Sequence, residues 1–227
     1  RLLLSVPYDN IGALWFEEPL NPCVKLICCA AGGDYFDAIY LSDLALKGPG
    51  FYAEGGATIS MWANIESLSG EEILFAYGFW GYRFILARDG DNLLVSARNY
   101  DSTTSEFKVA GLANLVGSGW SLLTLTCDRN RIYTIYFNGQ QVGRQVLSFS
   151  LYDIAADGAA TSKRNTTDET NNYYGYYSIG GNNYWADRVN MVALVDDFAI
   201  YDGVLSTRQI MELYNPSLTG DTEKIAN

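Results

Sequence analysis

Ala57-Thr58-Ile59-Ser60-Met61-Trp62-Ala63-Asn64-Ile65 alternates without a break. Ile59, Met61, Ala63 and Ile65 fall on one side of an extended chain, and Thr58, Ser60, Trp62 and Asn64 fall on the other. That period predicts a strand with one buried face. The same reading extends along the chain to Glu72-Ile73-Leu74-Phe75-Ala76-Tyr77, Tyr82-Arg83-Phe84-Ile85-Leu86-Ala87 and Asn92-Leu93-Leu94-Val95-Ser96-Ala97. The last two are joined by Arg88-Asp89-Gly90-Asp91, whose Asp-Gly pair is a hairpin signal. Ser121 to Cys127 and Arg131 to Phe137 form a further pair linked by Asp128-Arg129-Asn130, and Asn138-Gly139 closes another hairpin. Gly175 to Gly180 and Val192 to Tyr201 complete the strand-like runs. One segment departs from this period. In Leu205 to Tyr214, Ser206 stands as N-cap, Gln209 at the capping-box position, Ile210, Leu213 and Tyr214 on one face, and Pro216 beyond the end, which predicts a short C-terminal helix. Many short strands with turn residues between them predict an all-β, antiparallel β-sandwich of two sheets.

The composition agrees and narrows the chemistry. The chain has 227 residues, enough for a single large domain with a sizeable core, and residues 1–227 are read as one such domain. Tyr (17), Trp (5) and Phe (10) favour sheet over helix. Against 15 Lys and Arg stand 26 Asp and Glu, a net charge of −11, so a phosphate-neutralising surface is disfavoured and no nucleic-acid partner is expected. Histidine is absent, which removes the commonest general base, the Ser-His and Cys-His pairs and every imidazole metal site. Apolar stretches such as Leu122 to Thr126 fall far short of the ~20 residues a membrane helix needs, so no membrane insertion is expected. Cys23, Cys28, Cys29 and Cys127 contain no C-x-x-C spacing, and adjacent Cys28 and Cys29 read as small hydrophobes on opposite faces of a strand. A bond from Cys23 or Cys29 to Cys127 is left open. Asp157 to Tyr174 is polar and rich in Thr and Asn, and reads as a long surface loop.

Three pieces, in order, resemble a known family: the laminin-G-like, concanavalin-A-like lectin/glucanase jelly rolls, in their divergent bacterial branch. Thr58-Ile59-Ser60-Met61-Trp62-Ala63 is similar to its T-I-S-x-W-V strand. Trp120 to Asp128 followed by Ile135-Tyr136-Phe137-Asn138-Gly139-Gln140 resembles its W-x-x-L-T-x-T-x-D and L-Y-V-N-G hairpin. Val195-Asp196-Asp197-Phe198-Ala199-Ile200-Tyr201-Asp202-Gly203-Val204-Leu205-Ser206 through Ile210 resembles its closing strand and helix. The match is best over 57–214. Residues 1–56 are expected to hold N-terminal strands, with Gly33 to Ile39 as an opening strand. The resemblance implies a jelly-roll sandwich with one short C-terminal helix, in a secreted protein that is extracellular, periplasmic or at the cell surface.

Hydrolases share this architecture, but a retaining glucanase needs two carboxylates about 5–5.5 Å apart on one strand face, and no Glu-x-Asp-x-x-Glu occurs. The reading is therefore a non-catalytic, lectin-like carbohydrate-binding module, not an enzyme. Its alternative is a structural or adhesive protein-interaction domain, and a polysaccharide hydrolase or lyase ranks third. The expected partner is a glycan or polysaccharide, with another protein as the alternative. Candidate sugar contacts are aromatics and amides placed outside the core: Trp80 and Tyr82 in the Phe79-Trp80-Gly81-Tyr82 cluster, Asn183, Tyr184 and Trp185, and the outward-facing Trp62 and Tyr136. Trp62 is read two ways, as a sugar platform or as a ring covered by the C-terminal helix or a loop. The resemblance also implies a structural Ca2+, which in a histidine-free chain takes oxygen ligands, with Asp197 and Asp34 as candidates.

Overall fold

Strand periodicity of two governs the computed structural model, which describes residues 2–5, 15–17, 22–26, 39–42, 56–67, 73–79, 82–98, 103–153, 176–179 and 192–215. Fourteen strands are described: β1 (Leu2–Ser5), β2 (Trp15–Glu17), β3 (Pro22–Leu26), β4 (Ile39–Ser42), β5 (Ala57–Ser67), β6 (Ile73–Phe79), β7 (Tyr82–Asp89), β8 (Asn92–Arg98), β9 (Thr104–Ala110), β10 (Trp120–Cys127), β11 (Ile132–Phe137), β12 (Gln140–Val146), β13 (Tyr176–Ile179) and β14 (Val192–Asp202). The helix α1 spans Thr207–Tyr214. An eight-stranded sheet runs β12-β11-β10-β5-β14-β3-β2, with β1 also on β14, and a six-stranded sheet runs β4-β13-β6-β7-β8-β9. Every pairing is antiparallel. The expected all-β sandwich of two sheets with one short C-terminal helix is the observed architecture.

The core lies between the sheets. Ile59, Met61, Ala63 and Ile65 of β5, the side chosen by alternation, are buried together with Leu125, Ile135 and Phe198 of their own sheet and Phe75, Phe84 and Val95 of the other. Two ring pairs join the sheets: Phe84 on Tyr133 at 5.6 Å and 8°, and Phe75 on Phe198 at 5.7 Å and 25°. Tyr133 is fully buried and donates its hydroxyl hydrogen to the Phe149 carbonyl at 3.0 Å. Beside it Cys127 is a free, buried thiol, pushed up to about 11 chiefly by burial. The bond from Cys127 to Cys23 or Cys29, left open from sequence, is therefore not formed. Cys28 and Cys29 lie outside the described residues.

Turn chemistry sets the registers. Asp89 pairs with Asn92 across the Gly90-Asp91 turn, and Asn138 (φ 50°) and Gly139 (φ 78°) form the left-handed pair of a tight hairpin between β11 and β12. Asp128 shapes the β10–β11 turn by accepting from the Asn130 and Ile132 amides at 2.8 and 2.9 Å. The edge strand β12 is mostly exposed and carries no alternation, whereas β9 does alternate, with Ser105, Phe107 and Val109 as its inward positions. Gly33 to Asp37, expected in an opening strand, lie outside the described residues, and β4 begins at Ile39. The Asp157 to Tyr174 loop lies outside them as well.

Candidate functional site

The outer face of the eight-stranded sheet corrects one expectation. Thr124, Thr126, Thr134 and Tyr136 do point away from the core, yet they are 2%, 3%, 6% and 6% exposed. Outward on a strand is solvent-facing only where nothing covers the sheet, and here the β14–α1 segment and α1 lie over part of that face. Thr58 shows the consequence: its hydroxyl donates to the Gly203 carbonyl and accepts from the Leu205 amide, both at 2.9 Å. Thr58 thus satisfies the backbone of the covering segment, whereas the buried Thr124 hydroxyl has no hydrogen-bond partner among the described residues. Tyr136 is buried and offers no open ring face to a ligand.

The helix arrives in a defined pose. Ser206 accepts from the Gln209 amide and Gln209 accepts from the Ser206 amide, the reciprocal capping box expected from sequence. Ile210 is fully buried beneath it. Tyr214, near the helix end, stacks on Trp62 with centroids 5.9 Å apart and planes at 24°. Of the two readings of Trp62, the ring covered by the C-terminal helix is the one the structure contains. Trp62 stays partly exposed and Tyr214 is 37% exposed, so the pair forms an aromatic edge at the sheet surface.

Asp197 occupies a bulge. Asp196 pairs with Trp62 and Ala199 with Ser60, so Asp197 and Phe198 together oppose a single residue. Asp197 adopts φ 45°, which lets Val195, Phe198 and Ile200 all reach the core. Burial and, behind it, the neighbouring Asp196 carboxylate raise its carboxyl above the ordinary value, and Asp196 Oδ1 accepts the Asp197 amide at 2.6 Å. Among the described residues no group of three or more Cys, Asp or Glu is disposed to hold a metal, and two adjacent carboxylates do not complete a calcium shell of six to eight oxygens. Asp34 lies outside the described residues.

The six-stranded sheet brings a different set together. Phe84 and Ala97 are partners across β7 and β8 and both belong to the core, and the next register pair is Arg83 with Arg98. Gly78 pairs with Arg83, Tyr176 with Gly78, Ser42 with Tyr176, and Thr104 with Arg98. This row crosses all six strands beside the β6–β7 turn, where Phe79 pairs with Tyr82. Tyr82 therefore starts β7 next to Arg83, while Trp80, Asn183, Tyr184 and Trp185 lie outside the described residues. Neither arginine stands out in the linear sequence, because only the strand register makes them neighbours.

A family model described as the concanavalin A-like lectin/glucanases superfamily matches residues 34–211. Among solved structures, the chain resembles the binding domain of botulinum neurotoxin DC in complex with rat synaptotagmin II, at 13% identity and TM-score 0.59 over 95% of this chain and 51% of that one. It also resembles the CBM40 domain of the Ruminococcus gnavus IT-sialidase bound to alpha2,3 sialyllactose, at 16% identity and TM-score 0.54 over 71% of this chain and 83% of that one. A 58-residue stretch is 47% identical to a cysteate synthase of Methanocella arvoryzae, covering 25% of this chain and 14% of that protein. The chain spans about half the length of the toxin binding domains it matches. No helix among the described residues is long and apolar enough to cross a membrane. With its model match over 34–211 and its two antiparallel sheets, the chain belongs to the concanavalin A-like lectin/glucanases superfamily.

Proposed function

We propose that this chain is a non-catalytic, carbohydrate-binding module of a secreted or cell-surface protein. The observation that carries the reading is the family match over 34–211, in a chain that has no histidine and no glucanase carboxylate motif. The likeness in fold to a domain solved with sialyllactose supports it. A structural calcium between Asp34 and Asp197 belongs to the same proposal. The decisive experiment is a glycan array of neutral and acidic oligosaccharides, run with calcium and with EGTA and followed by tryptophan fluorescence titration of each hit. Saturable binding to one glycan class is expected, and a silent array with unchanged fluorescence would overturn the reading. A melting temperature indifferent to EGTA would remove the ion from it.

A second reading, a protein-interaction domain, draws on β12. This edge strand is mostly exposed and presents Val142 and Val146 at 41% and 58% exposure. The toxin domain bound to synaptotagmin shares the fold. If this reading holds, Val146→Lys abolishes capture of a protein partner and leaves glycan binding untouched.

A further inference from the structure

We infer that the end of the outer face of the eight-stranded sheet, past the last turn of α1, binds a neutral pyranose through Trp120, Asn64 and the Trp62–Tyr214 pair. The inference rests on the carbohydrate reading and locates its site. Leu123, Ala63 and Val195 belong to the core, so alternation puts Leu122, Trp62 and Asp196 in one rung of the outer face and Trp120, Asn64 and Leu194 in the next. Tyr214, the last residue of α1, stacks on the first rung through Trp62. The second rung begins where the helix ends, and there Trp120 is 39% exposed while Asn64 is half-buried. Trp120 and Trp62 are diagonal neighbours on paired strands, a separation of about 7–8 Å that aromatic side chains can bridge. Gly117 and Gly119, at φ 67° and 86°, lead the chain into β10, and a Cβ on either would meet nothing within 4 Å, so the loop before Trp120 leaves its approach open.

The polar groups on these rungs choose the ligand. The Asn64 amide and the indole N–H groups of Trp62 and Trp120 make no hydrogen bond among the described residues. Ring faces beside unspent amide and indole groups match a pyranose, whose C–H face stacks on an aromatic while its hydroxyls bond polar side chains. Asp196, the register partner of Trp62, puts a carboxylate at the edge of the platform. Charge decides against an acidic sugar: Glu66 follows Asn64 on the same face of β5, and Lys25, the basic residue in the Trp120 row, stands two strands from Asn64. Rings and carboxylates also suit a quaternary ammonium, but indole N–H donors and an amide have hydrogen bonds to give, and such a cation accepts none.

The test is an array of neutral and acidic glycans, followed by calorimetric titration of the full chain with the tightest-binding glycan, lactose, 3′-sialyllactose and choline, for the wild type, Trp120→Ala, Trp120→Phe and Asn64→Ala. Neutral glycans are expected to lead the array, with 3′-sialyllactose no tighter than lactose and choline silent. Trp120→Ala should lose about tenfold or more in affinity and Asn64→Ala about threefold or more, while Trp120→Phe, which keeps a ring, retains part of it. Melting temperatures taken beside each titration separate lost contacts from lost fold. A preference for acidic glycans, or wild-type affinity in both Ala variants, would overturn this inference and leave the carbohydrate reading standing. Choline binding with a silent array, or a chain that binds nothing offered, would overturn both. Trp120 and Asn64 stand on different strands, so misfolding of one Ala variant leaves the other to decide.

Discussion

Asp197 illustrates how one residue can serve register at the expense of its own ionisation. Its left-handed φ of 45° inserts the extra residue that turns Phe198 into the core, and the position is one that Asp and Asn tolerate better than other side chains. The same placement crowds its carboxylate against Asp196 and removes water from it, so the folded protein holds the Asp197 proton more tightly than the unfolded chain does. Stability from this group is therefore greatest below the ordinary value of 3.8, falls as pH rises through 3.8 towards the raised folded value, and is level above it. Asp197→Asn keeps the backbone preference and removes the charge. The variant is expected to melt higher than wild type at pH 7, by about 2 °C given the partial exposure of the site, with the difference vanishing near pH 3. Thermal melts of both proteins at pH 3, 5 and 7 check this, and a gain that does not depend on pH would point away from ionisation.

At the level of elements, the β11–β12 turn and α1 are one device. Gly139 supplies the positive φ of the hairpin and also the bare surface on which the helix lands: a Cβ there would collide with the Met211 sulfur and press on the Tyr214 Cβ. Gly139→Ala should cost about 1–3 kcal/mol in denaturant unfolding and shift Trp62 emission, since Tyr214 carries the ring stacked on Trp62. Gly90→Ala is the control, because Gly90 has φ 60° but open space around it, so it isolates the backbone penalty from the collision. Equal losses in the two variants would mean that helix docking does not depend on Gly139. The helix itself was legible in Ser206, Gln209 and Ile210, whose capping and burial are local properties. The surface that receives it was not legible, because Thr58 and Trp62 have the polar or amphipathic character of solvent-facing strand residues and only the docked segment and helix cover them.

Across the described residues, the larger of two apolar clusters draws on both sheets, from Ile59 and Leu125 on one to Phe84 and Val95 on the other, and the smaller joins Ile73, Ala76, Ile85 and Ala87. Unfolding is expected to be one cooperative transition, with tryptophan fluorescence and far-ultraviolet dichroism superimposing in urea; separated midpoints would show that the sheets come apart independently. The strand content, the two-sheet class, the tight hairpins and the helix cap followed from sequence alone, because alternation, Asn-Gly and Asp-Gly turns and capping boxes express interactions between residues close in the chain. The exposed edge strand β12 escaped that reading, as its pairing is held by backbone hydrogen bonds that any side chain permits, and β9 escaped it although Phe107 and Val109 alternate with Glu106 and Lys108. The sequence by itself determined which side of β5 faces the core and excluded histidine chemistry. Only the tertiary structure decided that Trp62 lies against Tyr214, that Tyr136 is buried, and that Arg83 is the register partner of Arg98, because strand register and the docking of a helix on a sheet are set by contacts between residues far apart in the chain.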